Sequence, residues 1–134
     1  MNNTSLKTLN SAYFLFPVTA IVFVVLDVAF LYLLQPLYRK QIQDVQNGKP
    51  LTIDRVAAVL CYLILVFSLF YFVILPNRSP MYAFLLGLLF YAVYELTNKS
   101  ILRKWRWETV VIDTLWGGVL FAVTTWVVNK VGGR

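Results

Sequence analysis

Tyr91-Ala92-Val93-Tyr94-Glu95-Leu96-Thr97-Asn98 closes a hydrophobic segment that begins near Met81, and its pattern decides how the rest of the chain is read. At helical spacing Tyr91, Tyr94, Glu95 and Asn98 stand at i, i+3, i+4 and i+7, so one helix face carries two phenols, a carboxylate and an amide. The rest of the segment is apolar. A carboxylate on a helix otherwise suited to hydrocarbon is expected to turn away from lipid, which calls for further helices to cover it.

Those helices are visible on either side. Downstream, Lys99, Arg103, Lys104 and Arg106 alternate with Trp105 and Trp107, a mixture of basic and indole groups expected to anchor at a membrane boundary. A further apolar run follows at about 108–128. Upstream, Pro76-Asn77-Arg78-Ser79-Pro80 is a turn that ends a run over about 55–75. Before it, Arg39–Asp54 reads as a connector, with the turn signal Asn47-Gly48-Lys49-Pro50 and Thr52 or Asp54 as cap for the next helix. The first run covers about 13–37, with Pro17 near its outer end. At about 1.5 Å per residue, runs of roughly 20 residues cross a hydrocarbon core of about 30 Å. The expected fold is therefore all-α: an integral membrane four-helix bundle, antiparallel and up-down, forming one domain over residues 1–134 with spans at about 13–37, 55–75, 81–98 and 108–128. The residues before Tyr13 lack the features of a cleaved signal peptide, so the first run is expected to stay in the mature protein.

Composition agrees. With 60% hydrophobic and only 13% charged residues the chain is too apolar for an ordinary soluble domain. Its net charge of +6 arises from basic residues gathered between the apolar runs, which suits a lipid bilayer as partner and disfavours nucleic acid. Loops one-two and three-four carry Arg39, Lys40, Lys49, Arg55, Lys99, Arg103, Lys104 and Arg106, whereas the other face has Lys7, Arg78, Lys130 and Arg134. The positive-inside rule then puts both termini on the non-cytosolic side. Histidine is absent altogether, which removes His-ligated haem, histidine-rich iron sites, His-containing zinc sites and Ser-His or Cys-His nucleophile pairs. No lysine lies inside an apolar run to hold a Schiff base, and Cys61, the one cysteine, reads as a packing residue. No metal and no cofactor are expected, and the reading leans away from an enzyme.

Three acids stand inside apolar runs. Asp27 is about ten residues from the end of the first span, roughly 15 Å deep, where a charged Asp costs about 2.5 to 3.5 kcal/mol. It is expected to share a stripe with Leu31, Leu34 and Tyr38. Asp113, Trp116 and Gly117 form another stripe on the fourth span, where Gly117 and Gly118 permit a neighbouring helix to come close. Glu95 and Asp113 stand at matching heights on helices joined by one short loop, so they are expected to share a site. A bland reading stands beside this one: Glu95 with Lys99 and Lys104 with Glu108 are i, i+4 ion pairs, Asn98 caps its helix, and Trp116 is packing.

The candidate binding or ion-path residues are therefore Asp27, Tyr38, Tyr91, Tyr94, Glu95, Asn98, Asp113, Trp116 and Gly117. Embedded acids suggest a proton- or cation-linked small transporter or pore, a reading that favours a homo-oligomer because four helices enclose little space. The alternative is a lipid-handling or lipid-modifying protein, or an accessory subunit, with a headgroup-level polar site. A purely structural helper of another complex is a third reading. A small ion or a lipid is the ligand in the first two.

The same residues resemble a family of small membrane proteins, mostly bacterial, known as domain of unknown function 2177. The stretches that carry the resemblance are Leu26-Asp27 followed by Tyr38-Arg39-Lys40-Gln41, Phe72-Val73-Ile74-Leu75-Pro76, Tyr94-Glu95-Leu96-Thr97-Asn98, and Asp113-Thr114-Leu115-Trp116-Gly117. The chain departs in having Glu95 where the family usually has Asp, and Phe30 where it usually has Trp. The resemblance implies a four-helix membrane protein and supplies no activity.

Overall fold

Pro36 shapes the first third of the molecule. It has no amide to give the Tyr32 carbonyl and its ring presses on that group, so the first helix ends at Leu33, and Leu34 leaves helical geometry with φ −99° and ψ 16°. In the computed structural model, which describes residues 3–134, the elements are α1 (Asn3–Leu33), α2 (Gln35–Val45), α3 (Arg55–Leu69), α4 (Pro80–Ile101) and α5 (Trp107–Val131). A wide π turn, Phe70–Ile74, continues α3, and no strand occurs among the described residues. Met1 and Asn2 lie outside the described residues, as does the side chain of Lys7. Four segments are long and apolar enough to cross a membrane: Asn10–Leu33, Arg55–Ile74, Pro80–Ile101 and Trp107–Val131.

Two expectations need correction here. The connector drawn from Arg39 to Asp54 is helical for its first part, because Pro36 falls in the first turn of α2, where a missing amide costs nothing. Tyr38 therefore belongs to this separate helix, and the straight stripe from Asp27 to Tyr38 does not exist. In addition, α4 continues three residues past Asn98 to Ile101, so Asn98 does not end it; its carbonyl accepts from the Leu102 amide at 2.8 Å.

Local chemistry accounts for the other ends. Asp54 caps α3, its carboxylate accepting from the Ala57 amide at 3.0 Å. Near Pro76, which withholds an amide from the helical register, hydrogen bonds lengthen to five residues: Leu75 N–H to Phe70 C=O at 2.8 Å and Arg78 N–H to Val73 C=O at 2.8 Å. Asn77 in the following turn takes a left-handed conformation at φ +54°, and Ser79 caps α4 with Pro80 as its first residue. The Arg134 guanidinium donates to the Ile74 carbonyl at 2.7 Å, tying the chain end to the end of α3.

The helix α5 is central, with Thr109, Val110, Asp113, Gly117, Gly118, Leu120, Phe121, Thr124, Thr125 and Val128 all buried. It packs along α4 and against α1, with Phe23 meeting Phe121 edge-on at 5.4 Å. Glycine sets the α4–α5 spacing: a Cβ on Gly87 would stand 2.2 Å from the Gly117 carbonyl oxygen, and one on Gly117 would stand 2.3 Å from the Tyr91 ring. The helix α3 leans on α1 and reaches α5 through its π turn, and it scarcely touches α4. Outward faces are covered by exposed apolar residues such as Val25, Ile64, Leu89, Val93 and Val119, the surface that lipid requires.

Candidate functional site

All three acids are buried within the helical unit, with Asp27 at 6% exposure, Glu95 at 1% and Asp113 at 7%. Each is met by a neutral donor from another element. The Tyr62 hydroxyl of α3 donates to one Asp27 oxygen at 2.5 Å, and the Trp116 indole N–H of α5 donates to the other at 2.9 Å. Asp27 thus joins three helices. Trp116 also stacks flat on Phe30 with centroids 4.0 Å apart, so Phe30 orients the indole that holds the acid.

The second cluster lies where α2, α4 and α5 meet. The Tyr38 hydroxyl donates to Asp113 at 2.6 Å, and the Trp105 indole donates to Glu95 at 2.6 Å. The Glu95 and Asp113 carboxyls lie within hydrogen-bonding reach of one another. Burial first, and then the adjacent Asp113 carboxylate, hold the Tyr38 phenol well above its ordinary range, which keeps it protonated and therefore a donor.

Among the described residues no lysine or arginine forms an ion pair with these acids. Lys99 donates to the Trp105 carbonyl at 2.7 Å and lies over the Trp107 ring, while Lys104 donates to the Asn47 amide oxygen at 3.0 Å. The i, i+4 pairings with Glu95 and Glu108 are thereby not formed; among the described residues the one ion pair is Arg106 with Asp44. Trp105 is also corrected: it is 6% exposed and turned inward to Glu95, and only Trp107, at 61%, remains a boundary residue.

Sequence reasoning missed Tyr62, Trp105 and Gln41. Gln41 is fully buried on α2 and clasps the start of α5, its amide nitrogen donating to the Lys104 carbonyl at 3.0 Å while its oxygen accepts from the Arg106 amide and the Thr109 hydroxyl, each at 2.9 Å. It acts as an N-cap supplied from another helix. Its polarity on an otherwise amphipathic stretch was the available signal, since a glutamine on the inward face needs partners.

Between α3 and α4 a cleft of about 420 Å³ opens, lined by Ala58, Cys61, Tyr62 and Leu65 on one side and Phe90, Tyr91 and Tyr94 on the other, with Asp27 and Asp113 at its floor. Its walls are apolar apart from the phenols. Cys61, Phe90 and Tyr94 on its rim are exposed, Tyr94 by 57%, so the cleft faces the same surroundings as the lipid-facing surface. Of the expected site residues, Asp27, Tyr91, Tyr94 and Asp113 line this cleft. Tyr38 and Trp116 stand behind it as hydrogen-bond partners of the floor, Glu95 is held by the Trp105 indole and does not line it, and Gly117 gives Tyr91 its place. Asn98 is half-buried one turn beyond Tyr94 and does not line it.

The family described as "Predicted membrane protein (DUF2177)" has a model that matches residues 12–129, from the first turn of the first span to the last turn of α5. No curated protein and no solved structure matches the chain.

Proposed function

Because the chain belongs to the DUF2177 family of predicted membrane proteins, we propose that this multi-pass integral membrane protein is a small proton-linked carrier that admits an amphiphilic cation from the bilayer through the α3–α4 cleft. The observation that carries the reading is an apolar cleft with two carboxyls in its floor and, among the described residues, no lysine or arginine paired to either. An apolar wall attracts the body of such a ligand and the uncompensated acids attract its charge. Glu95 behind Asp113 gives the link to protons. Neighbouring carboxyls disfavour double ionisation, so a cation arriving at Asp113 competes with a proton for the pair. The site is built inside one protomer, so a homo-oligomer is not required to assemble it. The up-down antiparallel course with both termini on the non-cytosolic side, which places α2 and the α4–α5 loop at the cytosolic boundary, belongs to the same reading and is supported by the clustering of basic residues there.

Binding of radiolabelled tetraphenylphosphonium to the detergent-purified protein tests this. Saturable binding, release of protons into weakly buffered medium on binding, and loss of both in Asp27→Asn or Asp113→Asn are expected. Absence of saturable binding to a folded wild type, or binding indifferent to both substitutions, removes the reading.

The apolar character of the cleft favours a second reading, a lipid-handling role in which the occupant is a membrane lipid. It predicts an altered lipid profile by mass spectrometry when the protein is deleted, with Asp113→Asn more damaging than Asp27→Asn.

A further inference from the structure

A second cavity, of about 520 Å³, lies between α2 and the connector that follows it, lined by Leu31, Gln35, Tyr38, Arg39, Ile42, Gln43, Pro50 and Leu51. Nothing in the carrier reading uses it. We propose that this groove is an interfacial binding site for an anionic phospholipid, with its phosphate on Arg39.

Its position comes first. The groove begins at the last turn of α1, the apolar segment Asn10–Leu33, and continues along α2, so it sits where a span gives way to polar chain. That is the level at which headgroups lie. Its chemistry changes in the same direction: Leu31 at the span end is apolar, Ile42, Pro50 and Leu51 form an apolar wall, and Gln35, Arg39 and Gln43 supply polar groups on one side of α2. A lipid has this sequence of character, acyl chain then glycerol then phosphate.

Charge selects the class of headgroup. Arg39 has no carboxylate partner among the described residues, since Asp44, the acid on the same helix, pairs with Arg106. A guanidinium presents a planar fork that matches two phosphate oxygens, and the Gln35 and Gln43 amides can donate to the remaining phosphodiester or glycerol oxygens. Lys40 and Lys49 are exposed close by in sequence and add to the positive field. The lining holds no acid, so a zwitterionic headgroup finds no partner for its ammonium there. Tyr38 closes the floor of the groove with its hydroxyl already committed to Asp113, which leaves the ring as an apolar surface.

The test is native mass spectrometry of the full chain, released from detergent micelles containing equal amounts of phosphatidylglycerol and phosphatidylcholine. Wild type is expected to retain phosphatidylglycerol preferentially. Arg39→Gln is expected to reduce that preference about fivefold, the effect of one basic group at a membrane surface, and Gln35→Glu, which sets a carboxylate against the phosphate, to reduce it at least as much. Arg103→Gln, which alters an exposed basic residue outside the groove, is expected to keep it. Circular dichroism establishes that each variant is folded, and two different groove variants keep the test decisive if one is not. Equal retention of the two lipids by wild type, or an equal loss in Arg103→Gln and the groove variants, overturns the proposal. Displacement of the lipid by millimolar inorganic phosphate also overturns it, because the site would then read free phosphate. Tetraphenylphosphonium binding is read separately in the α3–α4 cleft, so this proposal and the carrier reading can fail independently.

Discussion

Replacing Gly87 by alanine places one methyl group in the α4–α5 contact, and the geometry sets the cost. The new Cβ would stand 2.2 Å from the Gly117 carbonyl oxygen and 2.6 Å from the Phe121 ring, where an ordinary carbon–oxygen contact begins at about 3.3 Å. The obstructing oxygen is backbone, so no rotamer change relieves it and the helices must part by about 1 Å. A gap of that size forfeits a quarter to a half of each dispersion contact across the crossing, and overpacking of this kind costs about 1–3 kcal/mol. Alanine returns up to about 1 kcal/mol through its better helix propensity, which leaves a net loss of about 1–2 kcal/mol. The assay is reversible unfolding in mixed micelles by increasing denaturing detergent, followed by far-ultraviolet circular dichroism. Gly132→Ala is the control: its Cβ would meet the end of the Leu15 side chain at 3.1 Å and the Val128 carbonyl oxygen at 3.2 Å, contacts that a shift of a few tenths of an ångström relieves, and its backbone is right-handed helical, so its midpoint should stay close to wild type. A Gly87→Ala midpoint equal to or above wild type refutes the argument that backbone contact at glycine sets the α4–α5 spacing.

Gln41→Ala strands the Lys104 carbonyl, the Arg106 amide and the Thr109 hydroxyl; an unfolding loss of about 2–3 kcal/mol and faster hydrogen exchange at the Arg106 amide are expected. Trp105→Phe removes the indole N–H from buried Glu95 and should cost about 1–3 kcal/mol, whereas Trp107→Phe, on an exposed ring, should cost well under half of that; equal effects in the same unfolding assay count against the inward placement of Trp105. The raised ionisation of the Tyr38 phenol has a signed consequence: its stabilising contribution is complete below the unfolded value of about 10 and declines as pH rises above it, because only the unfolded chain then releases the proton readily. Tyr38→Phe should therefore lose less stability than wild type between pH 10 and about 11.5 when denaturing-detergent midpoints are compared, and parallel pH curves refute the assignment.

Hydropathy made the four spans legible because a stretch of about 20 apolar residues has few other uses. Burial of Asp27, Glu95 and Asp113 was legible for a related reason: the penalty for a carboxyl facing acyl chains is a property of the single residue, and it selects the inward side before any partner is known. The course of the chain around Pro36 was also written in the sequence. A hydropathy window runs through one proline without a break, so the end of α1 and the start of α2 were merged, and Tyr38 was assigned to the wrong helix. The partners of the acids depend on something further. Spacing at i+3 and i+4 fixes which residues share a face of one helix, yet it holds no information on the phase between helices, which glycine contacts such as Gly87 against Gly117 determine only after packing.

That limit explains why the ion-pair expectation failed in a particular direction. Lys99 begins one turn after Glu95, and a long flexible ammonium at the end of a span reaches toward the polar boundary more cheaply than into a packed interior. It ends on the Trp105 carbonyl, and the same contact holds Trp105 so that its indole N–H, a neutral donor with no charge to desolvate, reaches Glu95. Tyr62 and Trp116 at Asp27, and Tyr38 at Asp113, repeat the arrangement. A phenol or an indole satisfies a carboxylate oxygen without cancelling its charge. An acid held in this way is oriented and kept from solvent while its field remains available to a cation, whereas a lysine in the same place would have closed the site. Introducing that lysine is therefore informative: Tyr62→Lys should abolish tetraphenylphosphonium binding by pairing with Asp27, whereas Tyr62→Phe, which removes one hydrogen bond and leaves the carboxyl unpaired, should weaken binding by about tenfold at most. Equal binding by Tyr62→Lys and Tyr62→Phe, each folded by circular dichroism, refutes the argument that a carboxyl without a basic partner, Asp27, is what the cleft offers.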